Sequence, residues 1–251
     1  MHRAFDIATN IQGTIGEILQ DQPGIAKRSF GPGSSRPIIR GFDGNRILIM
    51  RDGIRTGDLS EQSADHGVSI DPASLERLEV VRGPATLLYG SNALGGGVNA
   101  ITPHESFLTS QTNGLRGQMT TDVSSADAQA GGNGSVQYGR GRWQAWGGLG
   151  YRRTDDYDTP EGPILNSAGQ LSNGRVGLGY AGAGGFFSAG YQLEDGRYGI
   201  PFAGRFEHAA HAGSDEEPLI DADHQRYGLR LDVGARNLAI PFLDAVKISA
   251  N

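Results

Sequence analysis

From about residue 113 onward, apolar and polar positions alternate along the chain with a period of two, the signature of strands with two unlike faces. Leu115, Gly117, Met119, Thr121 and Val123 alternate with Arg116, Gln118, Thr120 and Asp122, and Trp143, Ala145, Gly147, Leu149 and Tyr151 alternate with Gln144, Trp146, Gly148, Gly150 and Arg152. Further on, Phe187, Ala189, Tyr191 and Leu193 oppose Ser188, Gly190, Gln192 and Glu194, while Tyr227, Leu229, Leu231 and Val233 oppose Arg226, Gly228, Arg230 and Asp232. One face is apolar and the other is polar or glycine. A soluble β-sandwich produces the same alternation, so the period by itself does not choose between water and lipid as the surroundings.

Two further features favour lipid. Trp143 and Tyr151 share a face eight residues apart, which at about 3.4 Å per residue is roughly 27 Å along the strand and about 20 Å of depth at a tilt of about 40°. Aromatic residues at both edges of an apolar band of that height form the girdles of a membrane barrel. The connections also alternate: Gly141-Arg142, Ala181 to Gly185 and Arg236 to Phe242 are short, whereas 154–172 and 197–222 are long and polar. Short inner turns and long outer loops have this rhythm. About seven strands fit between residue 113 and the end, and the last, Asp244 to Asn251, stops without a turn or cap. Two open edges have no hydrogen-bond partners in lipid, so this stretch is expected to be part of a longer barrel and not to insert stably alone.

Residues 1–105 follow a different pattern, that of a mixed α/β module, with residues 106–251 as the barrel portion. Thr14 to Leu19 is expected to start a helix that Gln22-Pro23-Gly24 ends. Ile47 to Met50 is an apolar run closed by the turn pair Asp52-Gly53. Pro72 to Leu75 reads as a helical turn, Leu78 to Val81 as a strand stopped by Gly83-Pro84, Ala85 to Tyr89 as another turn of helix, and Val98 to Ile101 as a last strand. Gly90, Gly95, Gly96 and Gly97 suit tight turns and close backbone approach; no Gly-Lys-Ser/Thr follows them to suggest a phosphate loop.

Composition narrows the field further. Glycine makes up 40 of 251 residues, roughly twice the usual share of about 7%, with no collagen period. Only 37% of residues are hydrophobic, and no stretch is long and apolar enough for a membrane-spanning helix. Met1 is not followed by a secretory signal pattern. Cysteine is absent, which excludes thiolate metal sites and cysteine nucleophiles, and the net charge of -6 gives no footprint for nucleic acid. The run Glu207-His208-Ala209-Ala210-His211 places its glutamate ahead of both histidines, whereas a zincin helix needs His-Glu-x-x-His. No nucleophile elbow and no paired acid and base at catalytic spacing are present, so no enzymatic activity is expected.

The first module resembles the plug domain of TonB-dependent receptors. Arg36-Pro37-Ile38-Ile39-Arg40-Gly41-Phe42, then Asn45-Arg46-Ile47-Leu48-Ile49 and Asp52-Gly53, match the first plug signature. Leu75 to Pro84, Leu88-Tyr89-Gly90-Ser91 and Ala93 to Asn99 match the second. The resemblance covers about residues 10–103 and implies a plug seated in a 22-stranded barrel of the bacterial outer membrane, in contact with membrane lipid. It also implies uptake of a scarce nutrient, energised by a TonB-type inner-membrane complex that pulls on a segment upstream of the plug. That segment is not recognisable here. Arg40 and Arg82, each followed by glycine, fall in apolar segments, and a buried guanidinium needs a carboxylate. The resemblance implies that they lock the plug to barrel glutamates; the alternative is a pair of solvated loop arginines.

Candidate ligands for a nutrient are few. Asp65-His66 sets a carboxylate beside an imidazole in a loop, which suits a divalent metal such as zinc or copper, although a turn-capping Asp beside an exposed His has the same sequence. The surrounding residues resemble zinc-uptake members of the family. In the connection 197–222, His208, His211, Glu216 and Glu217, with Glu207 and Asp215, form a second candidate metal cluster. Zinc-uptake relatives carry a denser histidine run there, and a solvated acidic loop reads similarly. The chain is therefore expected to import zinc or another divalent metal, free or as an extracellular chelate, with no resident cofactor. The alternatives are an iron-siderophore, cobalamin or other organic nutrient, or a docking and signalling receptor.

Overall fold

The structure is a computed structural model, and it describes residues 2–3, 13–31, 34–63, 66–68, 70–84, 89–90, 92–102, 104, 113–201, 219–240 and 242–250. The one α-helix among them, α1 (Ile15–Gln20), begins at a capping box: the Glu17 amide donates to Thr14 Oγ1 at 3.4 Å and the Thr14 amide donates to Glu17 Oε2 at 3.2 Å. Two otherwise orphaned helix-terminal donors are satisfied this way. Ile15, Ile18 and Leu19 fall on one face and are buried. They pack α1 onto the antiparallel hairpin of β2 (Ile25–Gly31) and β3 (Ser34–Ile39).

The remaining strands of the module form a sheet. β1 (His2–Arg3), β4 (Ile47–Arg51), β5 (Ile54–Arg55), β6 (Arg77–Arg82) and β7 (Gly96–Ile101) lie in the order β1-β6-β7-β4-β5, with only β4 and β7 parallel. β4 and β5 are joined by Asp52 and Gly53, both at positive φ (53° and 80°), the geometry of a two-residue hairpin turn. Ile39, Ile47, Ile49, Leu78 and Val98 close the core between this sheet and α1. The helical turn at Pro72–Ser74 is present; of the expected turn at Ala85 to Tyr89 only Tyr89, which is helical, is among the described residues.

The arginines of the two plug motifs are placed differently. Arg40, at φ 49° in the turn after β3, and Arg82, at the end of β6, are both exposed, and among the described residues neither has an ion-pair partner. The buried guanidinium of the first motif is Arg36, on β3, at 0% exposure. It donates to Ser60 Oγ (2.6 Å) and to the carbonyls of Ile47 (2.7 Å) and Gly44 (3.0 Å), and pairs with Asp58 at 3.5 Å. Burial pushes its pKa down, while Asp58 acts the other way. Arg36 thus ties β3 to the start of β4 and to the 3-10 turn at Leu59–Glu61.

The second half is a single antiparallel wall. β8 (Gly114–Val123), β9 (Ala130–Arg140), β10 (Trp143–Thr154), β13 (Gly169–Ala181), β14 (Gly185–Ile200), β15 (Ile220–Ile240) and β16 (Leu243–Ala250) pair in sequence, with β8 and β16 at its edges. The short hairpin β11 (Tyr157–Thr159) and β12 (Gly162–Ile164) occupies the connection between β10 and β13. The other long connection shrinks to 201–219 because β14 and β15 continue pairing up to Ile200 and Ile220, beyond the run read from alternation. Strands of a barrel extend past the lipid because their ladder needs no apolar face to form.

The direction of the faces decides between water and lipid. Leu149, Val176, Tyr191, Tyr227 and Leu229 are exposed, whereas Gln144, Arg152, Ser188, Glu194, Arg230 and Asp232 are buried toward the first module. A soluble sandwich buries its apolar faces; this sheet turns its apolar face outward. Trp143, Tyr180 and Phe187 cluster on that face at the short-turn end, with ring centroids 5.2–6.0 Å apart, and Tyr151 lies at the other end of β10. Replacing Arg36 with Ala leaves Asp58 buried without its cation and is expected to destabilise the first module by about 3–5 kcal/mol. Arg46→Ala, at an exposed arginine of the same module, is expected to change stability by less than about 0.5 kcal/mol. Urea unfolding of the two variants in the folded receptor measures the difference.

Candidate functional site

The polar face of the wall has to be satisfied from inside, and the first module does so in discrete contacts. Toward the short-turn end, the centre is Asp232 on β15. Arg230 Nε donates to its Oδ2 at 2.9 Å, Lys247 lies at 3.6 Å, Ser249 donates to its Oδ1, and His104 Nε2 lies 2.8 Å from Oδ2. Arg230 reaches on to the module, donating to the Asp52 carbonyl at 2.9 Å. The Asp52 carboxylate in turn accepts from the amide and hydroxyl of Thr102, each at 2.7 Å. His104 follows the last strand of the module and enters a recess over Gly190, where a Cβ would meet the ring at 2.4 Å. Its edge contacts Trp146, with centroids 5.0 Å apart.

Ser188, His104 and Asp232 are not a catalytic triad. Ser188 Oγ, at 3.2 Å, and Asp232 both lie at the same ring nitrogen, Nε2, so no second nitrogen relays a proton between them.

Further along the wall, the contacts alternate between module and strands. Arg51 donates to Glu194 (2.8 Å) and Gln192 (3.3 Å); Asn173 donates to Asp71 (2.7 Å); Gln137 donates to Glu76 (2.9 Å). Arg152 donates to the Gly13 carbonyl at 3.0 Å and pairs with Asp71 and Asp122 at 3.5 and 3.4 Å. These residues stand at inward positions of the alternating strands, or on the turns of the module that meet them. Sequence reading placed Glu194, Arg230 and Asp232 on the polar face but had no means of assigning their partners.

At the long-loop end, module and wall separate into a cleft lined by Thr14, Val68, Ile70, Leu171, Tyr198 and His224. The His66 loop lies beside it. His66 Nδ1 is 3.1 Å from the Tyr198 hydroxyl, which also accepts from the Gly67 amide at 3.4 Å. In the tautomer with Nδ1 protonated, the ring donates to Tyr198 and presents Nε2 as a metal ligand. Of the predicted ligands, only His66 can be placed: Asp65, His208, His211, Glu216 and Glu217 lie outside the described residues. Among the described residues, no three His, Asp or Glu side chains converge on one point. The link to Tyr198 spans the whole chain order between module and wall, and no local signal announces it.

Residues 3–97 match the TonB-dependent Receptor Plug Domain. With the antiparallel wall behind that plug, the fold is similar to that of the plug and adjoining barrel strands of TonB-dependent receptor structures, and its place is the bacterial outer membrane. Over 93 residues, 37% of this chain and 15% of the relative, it is 37% identical to the Vitamin B12 transporter BtuB of Photobacterium profundum. Over 84 residues, 33% of this chain and 12% of the relative, it is 37% identical to the Hemin receptor of Yersinia pestis. The chain therefore matches only a small part of the length of these curated relatives. Among solved structures, the Copper transporter OprC superposes with a TM-score of 0.74 at 18% identity, covering 96% of this chain and 35% of that one. The FrpB iron transporter from Neisseria meningitidis (F5-1 variant) superposes with a TM-score of 0.77 at 13% identity, covering 98% and 39%. At such identities the superpositions show the fold alone.

Asp232→Ala removes the carboxylate that Arg230, Lys247 and His104 share, and is expected to weaken the seating of the plug by about 3–5 kcal/mol, the usual cost of breaking a buried pair from one side. Asp223→Ala, at an exposed carboxylate on the same strand, is expected to cost less than about 0.5 kcal/mol. Release of the plug in urea, followed by its protease sensitivity in the folded receptor, separates the two.

Proposed function

We propose that this chain forms part of an outer-membrane receptor that binds a scarce metal-bearing nutrient outside the cell and admits it past the plug, driven by a TonB-type inner-membrane complex. The observation that carries this reading is the seating of a plug against the polar face of a wall whose apolar face is turned outward. The nutrient class draws support from the names of the similar proteins, which concern vitamin B12, hemin, copper and iron. The cleft at the long-loop end is the natural entry, since it combines apolar side chains with Arg152, Tyr198 and His224.

A second reading, uptake of zinc or another divalent metal, is favoured by His66, which Tyr198 holds at the edge of that cleft. In this reading Asp65 supplies the neighbouring carboxylate, and His208, His211, Glu216 and Glu217 capture metal further out. Arg40 and Arg82 keep their proposed role as plug locks. Their exposure on neighbouring turns, with Arg40 Nη1 3.6 Å from the Cβ position of Gly83, leaves both free to meet carboxylates of further barrel strands.

Binding of cyanocobalamin, hemin, a ferric catecholate chelate, copper and zinc to the purified full-length receptor tests both readings. Saturable binding of one of the metal complexes, unchanged by the double substitution Asp65→Ala and His66→Ala, is the result expected for the first reading. Zinc or copper binding that the double substitution markedly weakens establishes the second, and no binding of any of the five overturns both.

A further inference from the structure

Between the cleft and the plug lies a pair of side chains whose hydrogen-bonding groups are left open. Glu194 on β14 has a side chain only 5% exposed, and Arg51 of the plug holds its Oε2 at 2.8 Å. Its other oxygen, Oε1, is buried and has no hydrogen-bond partner, and neither do the two buried ring nitrogens of His224 on β15. Oε1 and His224 Nε2 are 3.7 Å apart. That separation is too long for a hydrogen bond. The ring lies over Gly196, in the space that a Cβ there would fill.

Buried polar atoms of this kind are normally satisfied. The gap between them matches a different occupant: two ligands on one tetrahedral divalent ion, with bonds of about 2.0–2.1 Å to nitrogen and about 2.0–2.2 Å to oxygen, stand about 3.4 Å apart. We propose that His224 Nε2 and Glu194 Oε1 hold a borderline divalent cation of the zinc or copper(II) class. Water from the cleft, which His224 and Tyr198 line, completes its coordination.

Arg51 orients the ligating carboxylate through its second oxygen, as outer partners of metal ligands do. The same guanidinium, together with Arg226 directly across the ladder from Glu194, opposes a cation and keeps the site weak. Two protein ligands in such a field suit passage rather than retention. The route is continuous, since His66 contacts the Tyr198 hydroxyl and the Tyr198 ring lies 6.2 Å from that of His224. The inference rests on the metal reading of the nutrient and adds an inner station to it.

Copper(II) electron paramagnetic resonance of the full-length receptor, with zinc as competitor, tests the site. Wild type is expected to show nitrogen coupling from an imidazole that zinc displaces. His224→Ala is expected to lose that signal, weakening binding by more than the about 10- to 100-fold that losing an outer partner costs. Glu194→Gln is expected to weaken it in the same direction, while Asp223→Ala, at an exposed carboxylate on the same strand as His224, keeps it. A His224→Ala variant that retains the wild-type signal overturns the inference. So does a wild type without any imidazole-bound copper, and in that case binding of a metal complex in the preceding panel still upholds the uptake receptor. Should His224→Ala fail to fold, X-ray absorption of the zinc-loaded wild type decides: imidazole scattering with oxygen ligands supports the site, and an all-oxygen shell overturns it.

Discussion

A sheet that turns its apolar face to lipid must satisfy its polar face from within, and the structure follows from that constraint. Arg230, Asp232, Glu194 and Arg152 stand on the inner face at low exposure, and isolated charges at such positions are strongly unfavourable. The plug supplies what they lack: Asp52 for Arg230, Arg51 for Glu194, Asp71 for Arg152. Wall and plug therefore depend on each other. The plug needs an anchor, and the wall needs counter-charges placed in register with its strands.

The plug itself is organised to hold those groups steady. Asp52 sits in the tight turn between β4 and β5, fixed by Thr102 on the adjoining segment, and Arg51 ends β4 immediately before it. Asp71 caps the short helical turn at Pro72 through the Ala73 amide while its other oxygen accepts from Asn173. Each contact group lies at the end of an element whose body is buried in the plug core. Arg36 holds those elements together from below by satisfying carbonyls at Gly44 and Ile47.

Much of this fold was legible in the sequence, because strands with unlike faces and glycine-punctuated turns are local signals. The alternation around Trp143, Phe187 and Tyr227 assigned the faces, and Thr14 with Gln22-Pro23-Gly24 bounded α1. The pairing of β2 with β3 was not read, since Ile25–Gly31 is too polar and too short in apolar residues to stand out. The site was far less legible. His66 was noticed for its neighbour Asp65, yet what holds it is Tyr198, and the open pair of Glu194 and His224 exists only once β14 and β15 are in register. Arg40 and Arg36 look alike in the motif; which one is buried depends on where β3 ends.

The apolar clusters have one further consequence. Among the described residues each lies within the plug or within the wall, and the seam between them is crossed mainly by charges, amides and hydroxyls set against a glycine-rich inner surface. Two oily surfaces resist being parted because water must be made to wet them. A seam of this kind is already compatible with water, so the two bodies can slip past one another by exchanging partners with solvent one contact at a time. A joint of this kind, like a lubricated bearing, would be firm at rest and would part without unfolding either side.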